Sequence, residues 1–193
     1  LESHFALRCG IRATAFHEGL SLLERDRAAA YFADGEQGAQ VLVCSEIGSE
    51  GRNFQFAHHL VLFDLPWQPD LLEQRIGRLD RIGQLYPVEI HVPYFRDTVQ
   101  EWLFRWFDEG IDAFTRCFSA GAALLERLGP DLPAQLTSGV SGLAHLLVRT
   151  RALADELRAA AASGREPLLE LNSCRPEVAN RLIEEIQEAE TSS

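Results

Sequence analysis

The chain has 193 residues, a formal net charge of −11 and 46% apolar residues, and all 18 of its basic residues are arginines. That length suits one domain with an appendage or two small domains, and no apolar run approaches the ~20 residues that span a bilayer. The absence of lysine excludes a P-loop, whose lysine reaches the β- and γ-phosphates, and the acidic balance argues against a free-standing nucleic-acid binder with a basic footprint.

In chain order, Leu1–Leu7 reads as a helix already under way. Ile11–Phe16 is rich in strand formers, and Ser21 is a candidate N-cap for a helix running to about Ala33. Gly35 and Gly38 mark a loop. Val41-Leu42-Val43-Cys44 is a short, wholly apolar run, the pattern of a strand covered on both faces. His59–Phe63 is a second such run. Pro69, suited to a first helical turn, opens a helix expected to carry the arginines that follow. Val88–Val92 is a further strand. Strands alternating with helices at this spacing predict an α/β fold with a parallel sheet and right-handed crossovers.

After Pro93 no strand-like run remains. Thr98 to about Phe118 places Val99, Trp102, Leu103, Trp106 and Phe107 at helical spacing, and Trp102 and Trp106 are expected to pack this helix back on the α/β part. Gly129-Pro130 and Pro133 interrupt the chain. Leu143, Leu146, Leu147, Leu153 and Leu157 mark a long amphipathic helix whose alanine-rich end is expected to stop at Ser163-Gly164. Pro167 suits the first turn of a short helix, and Val178, Leu182, Ile183 and Ile186 mark a last one. Residues 1–95 therefore read as an α/β lobe and 96–193 as a helical extension.

Four cysteines, Cys9, Cys44, Cys117 and Cys174, lie far apart without C-x-x-C spacing. They predict small buried hydrophobes in a reducing cytosol rather than a zinc site or a disulfide framework. No metal site is expected. The lack of methionine marks a piece, or a processed form, of something longer.

Two stretches carry chemistry. Gln74-Arg75-Ile76-Gly77-Arg78-Leu79-Asp80-Arg81-Ile82-Gly83-Gln84 sets three arginines three residues apart. A guanidinium is always charged and offers a planar fork to phosphate oxygens. Arg78 and Arg81 share a face if the helix persists that far. Taken alone, the pattern is read more readily as a solvated basic patch. The second stretch, Ser45-Glu46-Ile47-Gly48-Ser49-Glu50-Gly51-Arg52-Asn53, follows the apolar strand directly, at the carboxyl edge where α/β sheets place their sites.

Together these stretches, with the turn Asp64-Leu65-Pro66-Trp67-Gln68-Pro69 between them, resemble the second RecA-like lobe of helicase superfamily two. Ser45–Asn53 corresponds to its motif V and Gln74–Arg81 to its motif VI. The Asp-Leu-Pro-Trp turn and the Arg-Ile-Gly-Gln ending narrow the resemblance to the Swi/Snf-type translocases, and within them to the bacterial branch that associates with RNA polymerase. The resemblance implies a RecA-like parallel sheet followed by an all-helical part.

It further implies Arg78 and Arg81 as arginine fingers reaching ATP, with its Mg held mainly by a first RecA-like lobe of the same parent chain. Gln74, Gly51 and Asn53 would stand near the nucleotide, with Asn53 where many members of the superfamily have aspartate. Ser45 would touch the nucleic-acid backbone and Glu46 would order motif V. Arg25 could reach a phosphate or lie on a helix surface. Asp64 reads equally as a functional group or a strand-end cap. RNA polymerase and double-stranded DNA, with RNA as the alternative track, are the implied partners in a cytoplasmic, nucleoid-associated setting. The competing readings are another motor of the same superfamily and a non-enzymatic docking module.

Overall fold

The structure, a computed structural model, describes residues 2–45, 53–130, 132–137 and 139–172. Helix α1 (Glu2–His4) widens into a π turn over Phe5–Cys9 and ends at Gly10, whose φ of 65° is left-handed. Strand β1 (Ala13–Phe16), helix α2 (Leu22–Ala33) and strand β2 (Val41–Cys44) form a first βαβ unit. Ser21 caps α2 in a full capping box. Its hydroxyl accepts from the Glu24 N–H, and the Glu24 carboxylate accepts from the Ser21 N–H, which satisfies two donors that helix starts leave orphaned. Strand β3 (His59–Val61), helix α3 (Pro69–Ile76) and strand β4 (Glu89–His91) form a second unit.

Both ladders are parallel, as the alternation of elements predicts. Among the described residues they are nevertheless separate two-stranded ladders, β1–β2 and β3–β4. Each also packs differently. Buried Phe16 meets Phe54 edge-on at 6.2 Å, and Phe54 in turn meets Phe32 and Phe56 edge-on at 6.1 and 6.2 Å. Leu62 and Leu72, on the second unit, belong instead to the main core with Leu103, Trp106, Phe107 and the later helices. The apolar run at β2 is therefore half-buried, with Cys44 exposed, and not covered on both faces. Cys9 and Cys117 are exposed too, so the three described cysteines are not the buried hydrophobes expected of them.

The helical part begins with α4 (Val99–Arg105), which opens into a π turn over Trp106–Ile111. It continues as α5 (Gly121–Leu128), α6 (Leu132–Thr137) and α7 (Gly139–Asn172). The Trp106 indole N–H donates to the Thr150 hydroxyl at 2.9 Å, and both residues are wholly buried. Trp106 is thus committed to α7, while Leu103 joins Leu62 and Val92 in lining one shared cleft beside β3 and β4. Helix α7 does not stop at Ser163-Gly164 but runs through Pro167 to Asn172. A Gly costs only about 1 kcal/mol in a helix interior, and a helix already nucleated over six turns absorbs it. The helix expected around Val178–Ile186 lies outside the described residues.

Helix α3 is anchored to this helical part. The Glu73 carboxylate accepts the Phe118 N–H at 2.6 Å. A Cβ on Gly121 would stand 2.4 Å from Asp70 Oδ1 and 2.9 Å from Pro69 Cβ. Only glycine lets α5 approach the first turn of α3 this closely.

Candidate functional site: the joined motif V and motif VI segments

The arginine-bearing helix is shorter than its sequence pattern suggests. It ends at Ile76, and Arg78 and Arg81 stand on the turn that follows. Gly77 N–H bonds back to both Glu73 O and Arg75 O, and Leu79 N–H to Ile76 O, so the last turn tightens toward three-residue bonding. Buried Leu79 pins the turn to the protein. Arg81 is exposed, and its Nε donates to Gly77 O at 3.0 Å. Arg78 is half-buried, and its carbonyl accepts the Phe54 N–H at 2.9 Å. The common-face expectation for Arg78 and Arg81, which required a continuous helix, gives way to two arginines on one braced turn.

That Phe54–Arg78 bond joins the end of the motif V stretch to motif VI. Two further contacts close the joint. Gln84 donates its side-chain amide to Ala57 O at 2.9 Å and to Leu79 O at 3.2 Å. Gly83, at a φ of 100°, lies against the Gln55 side chain. A non-glycine residue at such a φ is strained. Asn53 is exposed and forms an Asx turn. Its Oδ1 accepts the Gln55 N–H at 3.0 Å and its Nδ2 meets Gln55 Oε1 at 3.1 Å. Gly51 and Glu46 lie outside the described residues.

Arg75, the first of the three arginines, serves the fold. Its guanidinium donates to Asp64 O at 2.7 Å and approaches Asp64 Oδ2 at 3.4 Å. Asp64 is therefore the partner that ties the Asp-Leu-Pro turn to α3. Gln74 is exposed on the last turn of that helix.

At the carboxyl edge of β1–β2, the Ser45 N–H bonds to Phe16 O, and its hydroxyl donates to Glu18 Oε2 at 2.5 Å. The Ser45 hydroxyl, with Glu18's own backbone N–H, holds the Glu18 carboxyl below its ordinary range. Arg25 braces the same loop, donating to Leu20 O and Glu18 O at 3.0 and 2.9 Å. Arg25 thus spends donors on its own loop. Glu18 and Gln84 are the residues that sequence reasoning missed. Glu18 lies in the stretch before α2 and was given no role, and Gln84 was visible as a motif ending without a role. Cys44, at the end of β2, is exposed as a residue, yet desolvation by the surrounding chain pushes its thiol up to about 11, so it is not a thiolate nucleophile at neutral pH.

Two concavities flank these elements. One, of about 160 Å³, lies between the Leu62–Leu65 segment and α4. The other, an open cleft of about 650 Å³, lies between α2 and Asn53–Phe56. Neither is lined by Arg78 or Arg81.

The helicase conserved C-terminal domain matches residues 1–83, and the RNA polymerase recycling family C-terminal domain matches residues 87–193. The chain belongs to the RNA polymerase recycling family. A relative named RNA polymerase-associated protein RapA, from Pseudomonas putida strain GB-1, is 56% identical over 97% of this chain and 20% of its own length. The protein of the same name from Vibrio campbellii is 55% identical over 96% of this chain and 19% of its own. The chain thus spans about a fifth of the length of these relatives. The C-terminal part of the Fun30 ATPase domain superposes with a TM-score of 0.48 at 17% identity, over 53% of this chain and 33% of that one. The α/β part thus carries the helicase C-terminal match, and the helical part carries the RNA polymerase recycling match. Among the described residues no helix is long and apolar enough to cross a membrane.

Proposed function

We propose that this chain is the second motor lobe of an ATP-dependent nucleic-acid translocase that remodels or recycles RNA polymerase. Arg78 and Arg81 act in trans on ATP gripped, with its Mg, by a first RecA-like lobe elsewhere in the parent. Gln74, Asn53 and Gly51 border the same nucleotide, while Ser45 faces the track, double-stranded DNA or RNA. The observation that carries this reading is the backbone bond from Phe54 to Arg78. It couples the segment next to the track to the turn that holds both arginines.

In phosphoryl transfer the protein positions groups and stabilises charge, and a finger arginine from a second domain is worth ~10³–10⁵ in turnover where it has been measured. Closure of the lobes brings the arginines to the triphosphate. The Phe54–Arg78 joint passes that movement to the motif V segment, and hydrolysis releases it. The helical extension, whose span carries the RNA polymerase recycling match, serves as the adaptor toward polymerase.

The chain holds no lysine for a triphosphate cradle, so the purified 193-residue polypeptide has no ATPase activity of its own. Phosphate-release assays check this. Turnover that co-purifies with the chain and disappears in Arg81→Ala would overturn the division of labour between two lobes.

A further inference from the structure

Strands β3 and β4 put three metal-ligating side chains on one face. His59 pairs with Glu89 across the ladder, and His91 lies two residues beyond Glu89 on the same strand. Side chains at alternate strand positions share a face, and the backbone bonds Glu89 N–H to His58 O and Leu62 N–H to His91 O lock the register on both sides. One ligand from one strand and two alternate ligands from its neighbour make a three-point set on rigid backbone.

The distances fit a small ion. His59 Nδ1 and His91 Nε2 are 3.2 Å apart, and His59 Nδ1 is 3.6 Å from Glu89 Oε2. One ligand atom from each residue lies within 4.8 Å of the others. A tetrahedral ion with bonds of ~2.0–2.1 Å holds its ligand atoms about 3.3 Å apart. The His58 ring lies 4.4 Å from that of His59, and Tyr86 lies 5.2 Å from His58, so these tilted ring neighbours limit how far His59 can swing.

We propose that His59, Glu89 and His91 form a site for a divalent transition metal of the zinc class. Two imidazoles and one carboxylate suit zinc, copper or nickel better than magnesium or calcium, which prefer all-oxygen shells. The fourth corner belongs to water. The ion clips β3 to β4, the strands on either side of the arginine-bearing helix, across a ladder only three residue pairs long.

The test titrates the 193-residue chain with zinc by calorimetry and with cobalt by visible absorption. The expected result is one ion per chain, a tetrahedral cobalt spectrum without a thiolate charge-transfer band, and a zinc-dependent rise in Tm. His59→Ala and His91→Ala each weaken binding by at least about tenfold and remove the rise, and Glu89→Gln weakens binding less. Undiminished one-to-one binding in the His59→Ala, His91→Ala double variant, or a sulfur ligand in the cobalt spectrum, overturns the site. So does the absence of binding, which leaves an imidazole–imidazole hydrogen bond only. If the variants do not fold, X-ray absorption on zinc-loaded wild-type chain decides. A shell of two imidazoles with oxygen supports the site, and any other shell contradicts it.

Discussion

The Phe54 N–H donates to the Arg78 carbonyl at 2.9 Å. One of these residues follows the motif V stretch directly, and the other belongs to motif VI. Because the bond is backbone to backbone, no side-chain change at Arg78 removes it. A substitution of the Arg78 side chain, made to test its proposed role, therefore leaves the joint between the two segments standing.

The second contact of that joint is a side chain and can be removed. Gln84 serves two carbonyls, Ala57 O and Leu79 O. Gln84→Ala leaves both without this donor, at a cost of about 1–3 kcal/mol. Gln84→Glu keeps the shape but cannot donate, so it loses a similar amount at neutral pH. Urea unfolding of the chain reads both values. A wild-type midpoint for Gln84→Glu contradicts the role given to the amide.

Trp106, in the π turn that follows α4, and Thr150 on α7 form a wholly buried polar pair, beside the bonds from Arg151 to Glu109 O and from Arg158 to Ile111 O. Trp106 Nε1 has Thr150 Oγ1 as its acceptor, with both residues at 0% exposure. Thr150→Val preserves volume but strands the indole N–H, and about 1–3 kcal/mol of stability is lost. Thr150→Ser keeps the acceptor and removes one methyl, so it recovers a large part of that loss. If Val and Ser variants unfold at the same denaturant concentration, the hydrogen bond is not the stabilising element.

Acid should loosen the same region. The Arg105 guanidinium donates to Glu109 at 2.6 Å, with Arg151 at 3.7 Å, and holds the Glu109 carboxyl below its ordinary value of 4.5. A carboxyl depressed in the folded state contributes stability above its unfolded pKa, and the contribution is lost as pH falls through the folded value. Thermal melts recorded as pH falls from about 5 to 3 are expected to drop more steeply for wild type than for Glu109→Gln. Parallel curves would show that the pair contributes nothing, the usual outcome for a fully solvated ion pair.

The strands, the Ser21 cap and the helix opened by Pro69 were legible because each depends on local chemistry: apolar runs, a hydroxyl ahead of a helix, a fixed φ. The end of α3 was not, since Arg78 and Arg81 continue a helical spacing that Gly77 and the Phe54 bond interrupt. Arg75 and Arg78 look alike in sequence, and the tie of Arg75 to Asp64 is visible only in the fold. The exposed cysteines and the split into two ladders depend on packing between distant segments, which composition does not encode. The His59–Glu89–His91 cluster was hidden for the same reason, because strand register brings together positions 59 and 89.

The most direct test of the two-lobe account is ATP turnover and ATP affinity of the full-length parent carrying Arg81→Ala. The account predicts hydrolysis lost by a factor of ~10³ or more, with ATP affinity kept within about tenfold, or 1.4 kcal/mol. Arg81→Lys should rescue poorly, because an ammonium lacks the planar fork. Hydrolysis close to wild type in Arg81→Ala, or binding and turnover falling by the same factor, would contradict it.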